Sequence, residues 1–210
     1  MAHQIIVALV ICLQVSLGYN PGTSWRMYPY FSFVRSNGGG LTYESETFIA
    51  TKDVRTFYTN DNSLFALKDD GALDNVLEED LGNVYPPTGS DKYKMLYTTE
   101  QAWIGLTTTG TVKTWGASAF GADSSGVASE LVNITTIVTN NNVIVARKSD
   151  GTVVAWLGDA WQSVASSTIS GVVSMFSAGT GVATLKADGT AHLLAPNSSV
   201  RKLLSAVAKV

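Results

Sequence analysis

Cysteine and histidine are nearly missing from this 210-residue chain, which has one cysteine, Cys12, and two histidines, His3 and His192. A disulfide framework, a thiol nucleophile paired with a base, or a zinc site of His and Cys ligands needs more than that. Charge is also sparse. Only 15% of residues are charged, with 14 Lys and Arg against 17 Asp and Glu, for a formal net charge of −3. That balance gives no basic stripe for a nucleic-acid backbone. The 45% hydrophobic content sets the chain apart from disordered sequences. No segment after Leu13 reaches the roughly 18 apolar residues of a membrane helix, and Leu203 to Val210 is too short for a lipid-anchor signal. A compact, mildly acidic fold with no cofactor is expected.

The one apolar run, Ile5 to Leu13, is followed by Gln14 and then Ser16-Leu17-Gly18, the pattern of a secretory signal cut before Tyr19. The leading Met1-Ala2-His3-Gln4 has no Lys or Arg and relies on the α-amino charge; a buried N-terminal strand is the alternative reading. Residues 1–18 are therefore expected to be a signal peptide and 19–210 a single repeat domain, secreted and extracellular. Export would remove Cys12 and His3, leaving His192 as the one histidine. A chain of this size buries about 70% of its unfolded surface, enough for a domain without disulfides.

Turn-type dipeptides recur at Asn37-Gly38, Asp70-Gly71, Thr109-Gly110, Asp150-Gly151 and Asp188-Gly189, with glycine spacings of 33, 39, 41 and 38. Each glycine reads as the tip of a two-residue hairpin with positive φ, and a strand period near 40 points to a propeller or related array. Twelve residues before the last four glycines stand Thr59, Thr98, Thr139 and Ser177. Just ahead of these stand Phe57-Tyr58, Leu96-Tyr97, Ile137-Val138 and Met175-Phe176. This predicts a first strand buried on both faces.

Five residues past each glycine lie Tyr43, Val76, Trp115, Trp156 and Leu194, which predicts a shared core position; Trp115 and Trp156 define it. Between the two sets, Leu64 to Leu67, Trp103 to Leu106, Val143 to Ala146 and Val182 to Leu185 read as hairpin strands. The units are roughly 19 to 48, 49 to 87, 88 to 127, 128 to 167 and 168 to 210. Lys202 to Val210 is a candidate for a strand closing onto the short first unit.

The segments Arg147-Lys148-Ser149-Asp150-Gly151-Thr152-Val153-Val154-Ala155-Trp156 and Leu106 to Gly116, with Phe120 to Val127 after it, resemble the repeat of the regulator of chromosome condensation family. The likeness covers most of residues 54 to 195. It implies an all-β fold, a β-propeller with four-stranded blades, and with the glycine spacing it gives a β-propeller-like array of about five repeats of about 40 residues. Such an array is incomplete or smaller than the family's seven blades. The family's guanine-nucleotide exchange and chromatin binding are not carried over, because no residue here matches an exchange loop and the net charge is negative.

Candidate chemistry is thin. His192 sits in strand phase, where it reads as a structural strand residue rather than the base of a Ser-His-Asp hydrolase. Gly38-Gly39-Gly40 lacks the Lys-Ser/Thr of a phosphate loop and reads as a bulged hairpin turn. Ser149-Asp150-Gly151 lacks the spacer of a sialidase Asp-box. The acidic stretch Asp69, Asp70, Asp74, Glu78, Glu79 and Asp80 has no calcium-loop spacing and reads as a solvated insertion. Two glycosylation sequons, at Asn133 and Asn197, become relevant if the chain is exported, and Asn197, after Pro196, has the more loop-like setting.

The expected function is a secreted, non-enzymatic binding module for an extracellular protein or surface glycan. The alternatives are a glycan-processing propeller enzyme with paired carboxylates, or a structural matrix component.

Overall fold

The computed structural model describes residues 14–18, 26–34, 40–44, 47–60, 63–76, 85–140, 143–156, 169–178, 181–195 and 201–204, with the backbone alone for 14–18, 26–34, 40–44, 47–51, 178 and 201–204. Strands dominate. They form two compact units, Met1–Val84 with Gly89–Tyr93, and Tyr85–Thr88 with Lys94–Val210.

The first unit carries β1 (Gln14–Gly18), β2 (Arg26–Val34), β3 (Gly40–Glu44) and β4 (Thr47–Thr51) in one sheet, and β5 (Val54–Thr59), β6 (Leu64–Lys68) and β7 (Leu73–Asn75) in another. β1 pairs antiparallel with β2 from Gln14↔Tyr30 to Gly18↔Arg26, so in the full-length chain the last residues of the expected signal segment form a strand. β4 runs to Thr51, which moves the first repeat boundary a few residues past 48. The core of the second sheet is Val54, Leu64, Ala66 and Val76, with Phe57 packed against it.

The second unit holds three sheets. They are β8 (Tyr93–Thr98), β9 (Ala102–Thr107) and β10 (Val112–Gly116); β11 (Ile134–Thr139), β12 (Ile144–Lys148) and β13 (Val153–Trp156); and β14 (Val172–Ala178), β15 (Gly181–Lys186), β16 (Ala191–Leu194) and β17 (Arg201–Leu204). Tyr93, the first residue of β8, counts with the first unit. Two short 3₁₀ turns, η1 (Ser118–Phe120) and η2 (Ser125–Glu130), follow β10.

The strand buried on both faces is the middle one, not the first as the sequence suggested. In and just before β12, Ile144 and Ala146 join a cluster with Ile104, Leu106, Val127 and Ile137. The alternate residues Val143 and Val145 join another with Ile169, Val172, Val182 and Leu194. Period-two alternation thus cements β12 to both neighbouring sheets, and each of its buried Val and Ile side chains contributes about 1.5–3 kcal/mol. The first strands lie at sheet edges and stay partly open: β8 and β11 are buried only at every third residue, and Phe176 of β14 is 58% exposed.

First strands also carry a recurrent bulge, with the register slipping between Val54 and Thr56, Ile134 and Thr136, and Val172 and Ser174. A bulge adds twist at a sheet margin. At the C-terminus, β17 pairs antiparallel with β16, placing Lys202 opposite His192. Residues 201–204 thus form the fourth strand of their own sheet, and the rest of the candidate closing segment, 205–210, lies outside the described residues. A short return to the adjacent strand costs less loop entropy than a long closure.

Candidate functional site

Four of the five repeat glycines are described, and all four adopt the expected left-handed conformation: Gly71 at φ 84°, Gly110 at 81°, Gly151 and Gly189 at 82°. Gly38 lies outside the described residues. The turn type differs from the two-residue expectation. The Gly71 N–H donates to the Lys68 carbonyl (3.0 Å) and the Lys68 N–H to the Ala72 carbonyl (2.9 Å). Positive φ is confined to the glycine, so the loop is a type I turn followed by a left-handed bulge residue. The same pair of bonds closes Thr107 to Thr111, Lys148 to Thr152 and Lys186 to Thr190.

The aspartate before three of these glycines acts as an acceptor. Oδ1 of Asp70, Asp150 and Asp188 receives the N–H two residues on, from Ala72 (2.9 Å), Thr152 (2.8 Å) and Thr190 (2.8 Å). All three carboxyls are held below the ordinary carboxylate value. The leading cause is Lys92 for Asp70, the Thr152 hydroxyl for Asp150 and the Thr190 N–H for Asp188. In the β9–β10 tip, where threonine replaces aspartate, Oγ1 of Thr107 takes the Thr111 N–H at 3.0 Å instead.

These tips also couple consecutive sheets. In the second unit the carbonyls of Gly110 and Gly151 accept the N–H of Ile134 (2.8 Å) and Val172 (2.9 Å), each the first residue of the next sheet's first strand, and within the first unit the Gly71 carbonyl accepts the N–H of Tyr93 (2.7 Å). Within each sheet, the residue just ahead of the first strand is tied to the tip that follows the second: the carbonyls of Asp53, Asn133 and Gly171 accept the N–H of Asp69 (2.9 Å), Ser149 (2.9 Å) and Ala187 (3.1 Å). Those three residues share a left-handed corner, at φ 57°, 58° and 72°. Asp, Asn and Gly are the residues that tolerate it.

A second repeating turn went unread in the sequence. At the far end of each first strand, Asn60, Thr99 and Asn140 close a turn onto Ser63, Ala102 and Val143, both through the backbone and through a side-chain oxygen that accepts the N–H of the same residue. Nδ2 of Asn140 also donates to the Gly181 carbonyl at 2.7 Å, tying the fourth sheet to the fifth. The three lie eleven residues before Gly71, Gly110 and Gly151, so the signal was the same 39 and 41 spacing.

Among solved structures the chain is similar to Prp20p from Saccharomyces cerevisiae, at 11% identity and a TM-score of 0.51, covering 89% of this chain and 64% of that one. The same yeast protein, there called RCC1 and bound to Kap60, matches at 11% identity and TM-score 0.51, over 89% of this chain and 63% of that one. The chain has the fold of the RCC1-like β-propellers. The CRINKLY WD40 ectodomain of the Arabidopsis thaliana receptor kinase ACR4 is also similar, at 10% identity and TM-score 0.48, over 88% and 66% of the two chains. No protein-family model matches the sequence, nor does any curated protein. The chain spans less than two thirds of the length of either Prp20 structure.

In this propeller-like array the sequence-predicted core residues serve as blade cement. Val76, Trp115, Trp156 and Leu194 are all buried. Trp115 stacks on Trp103 across the β9–β10 pair, with ring centroids 6.2 Å apart. Trp156 donates Nε1–H to the Gly121 carbonyl at 3.0 Å, pinning the loop of the preceding blade.

That loop, residues 117–130, stands after β10 as two 3₁₀ turns. It is anchored from several sides: Ala117 N–H to the Gln101 carbonyl (2.9 Å), Thr99 Oγ1 to the Phe120 carbonyl (2.8 Å), and Thr114 Oγ1 to the Ala122 carbonyl (2.6 Å) and Ser124 Oγ (2.9 Å). Glu130 ends η2 in an ion pair with Lys148 (2.6 Å). Val127 and Leu131 face the core, while Ser118, Ala119, Asp123, Ser125, Ala128 and Ser129 are exposed.

The other candidates sort plainly. His192 lies mid-strand opposite Thr184. In the acidic stretch, Asp69, Asp70 and Asp74 face Arg55 (3.8 Å), Lys92 (2.7 Å) and Lys68 (2.6 Å), and the Asp74 contact raises the Lys68 pKa. Such exposed pairs contribute about 0–1 kcal/mol each. Glu78, Glu79 and Asp80 lie outside the described residues. Among the described residues no group of three or more His, Cys, Asp or Glu is placed to hold a metal ion. None of their helices is long and apolar enough to cross a membrane. Asn133 is exposed at its left-handed corner, and Asn197 lies outside the described residues.

Proposed function

We propose that the chain is an exported binding module of the propeller type, recognising an extracellular protein through loops held on a rigid array of blades. The observation that carries this reading is the 117–130 loop. Its backbone is fixed at several points by hydrogen bonds to two blades, while its outward side chains are small, serine and aspartate beside alanine. A preorganised loop loses little entropy when it docks. Prp20, whose fold this chain shares, is described with binding properties toward Gsp1p and histones and as bound to Kap60, which supports protein recognition as a use of such a frame. Export is supported by the Ile5–Leu13 run and the small residues before Tyr19.

The test is a binding screen of the purified chain against extracellular proteins and an immobilised glycan panel, with calcium and with chelator. An Ala128→Arg variant, altered at an exposed loop position, is run beside it. Saturable binding to a protein that Ala128→Arg weakens tenfold or more supports the reading. Sugar binding alone would move the assignment to a lectin, and turnover of a labelled glycan to an enzyme. Protein binding that Ala128→Arg leaves unchanged would refute the loop assignment.

A further inference from the structure

We infer that Asn133 is a site of N-linked glycosylation, an inference that deepens the export reading above and rests on it. The sequence supplies Asn133-Ile134-Thr135, and sequons are common by chance, so the decision lies in what the fold does with the side chain. At the strand-end turns the fold consumes asparagine amides. Oδ1 of Asn60 caps Ser63 at 3.2 Å, and Asn140 uses Oδ1 on Val143 at 2.9 Å and Nδ2 on the Gly181 carbonyl at 2.7 Å. The Asn133 carboxamide makes no side-chain hydrogen bond among the described residues, and its residue is exposed between exposed Val132 and the start of β11.

The corner itself is open. At Gly171, which occupies the same corner one blade later, an added Cβ would meet nothing within 4 Å. The backbone at Asn133 is already committed, with φ 58° and its carbonyl on the Ser149 N–H. A substituent on Nδ2 therefore disturbs no bond of the fold. Thr135, the hydroxyl residue of the sequon, is exposed on the bulge, with Oγ1 on the Arg147 carbonyl at 3.2 Å.

The chemistry is transfer from a polyprenyl-diphosphate-linked oligosaccharide. Nδ2 forms a bond to the anomeric carbon of the first sugar, the bond from that carbon to the phosphate oxygen breaks, the lipid diphosphate leaves with the electron pair, and Nδ2 releases one proton. The acceptor must reach a compartment holding that donor, which is why the inference depends on export.

The test secretes two full-length forms from an animal cell line, one with its own residues 1–18 and one with that segment exchanged for a proven export signal. Each product is treated with peptide-N-glycosidase in heavy-oxygen water and the peptide containing position 133 is sequenced by mass spectrometry. A labelled aspartate at 133 in the form with the proven signal supports the inference, and its absence there overturns it. The native-leader form separately decides export: failure to reach the medium sinks the export reading, and with it glycosylation of the native protein.

Asn133→Asp serves as the control, because Asp53 holds the same corner at φ 57° in another blade. The variant should keep its melting temperature and lose the Asn133 glycan. A sugar-dependent mass shift unchanged by Asn133→Asp would assign the glycan elsewhere, and the inference fails.

Discussion

Alanine at the tip glycines is the sharpest probe of the blade geometry. Gly71, Gly110 and Gly151 sit at φ 84°, 81° and 82°, so each substitution forces a left-handed alanine at about 1–2 kcal/mol. What differs is the space. A Cβ at Gly71 would lie 3.0 Å from the Tyr93 carbonyl oxygen and 3.1 Å from the Lys92 Cβ, whereas the nearest atoms are 3.3 Å away at Gly151 and 3.4 Å at Gly110. The Gly71 contact is with the strand whose N–H the same glycine's carbonyl holds at 2.7 Å, so relief of the clash stretches that bond and adds about 1 kcal/mol.

The expected order of destabilisation is Gly71→Ala, then Gly151→Ala, then Gly110→Ala, with falls in melting temperature of about 2–4 °C per kcal/mol for a chain of this size. Gly151→Asn supplies the control, since asparagine tolerates the left-handed region and should cost less than the smaller alanine. Thermal and urea melts followed by tryptophan fluorescence and far-UV circular dichroism read the series. If Gly151→Asn were as damaging as Gly151→Ala, or if Ala were neutral at all three sites, the bulged-tip geometry would be wrong.

Three further outcomes are expected. Trp156→Phe leaves the buried Gly121 carbonyl without its donor and should cost about 1–3 kcal/mol, seen as a lower urea midpoint with unchanged slope; a neutral result would remove the indole as a clamp. Asp70, Asp150 and Asp188 have carboxyls depressed below 3.8, so their stabilisation is complete above that value and is lost as pH falls through the lower folded pKa values. Melting temperature should therefore drop below about pH 4, and more shallowly when all three are asparagine; equal acid slopes would refute the assignment. Burial, with Asp91 adding to it, pushes the Tyr93 phenol up to about 12, which places a loss of stability between pH 10 and 12 as the unfolded chain ionises first. Tyr93→Phe should flatten that limb in melts recorded against pH.

Backbone necessity was the most readable part of the sequence. A left-handed position every 38 to 41 residues demands glycine, and the four described glycines all occupy it. The residues five positions later were readable for a similar reason, because each must fill the same gap between sheets. The misreading of the first strands has a physical cause. The first strands looked more apolar than their burial warrants, and Tyr58, Tyr97 and Phe176 stay partly open because hydropathy reports composition and not which strand of a sheet has neighbours on both faces. The bulges at Arg55, Thr135 and Val173 left no mark, since they are set by register between strands and not by residue type. The Asn60, Thr99 and Asn140 turn was readable and missed, because asparagine and threonine differ in name while doing the same work with a side-chain oxygen.

The division between what the frame uses and what it leaves over is the argument for function. The tips spend their aspartates, threonines and glycine carbonyls on closing hairpins and joining blades, and the opposite turns spend Asn60, Thr99 and Asn140 in the same way. Groups so engaged are poor candidates for recognition, since a partner would have to break a fold bond to gain one. The 117–130 loop differs because its anchoring bonds run largely through backbone carbonyls and inward hydroxyls, and although Asp123 accepts the Ser125 N–H at 2.9 Å, Ser118 and Ser129 stand outward with side chains not required by the core. Asn133 differs for the same reason at its own corner. Substitution at these outward positions should change recognition or modification while leaving the melt untouched. Substitution at the tips should do the reverse, and that opposition separates the working surface from the frame.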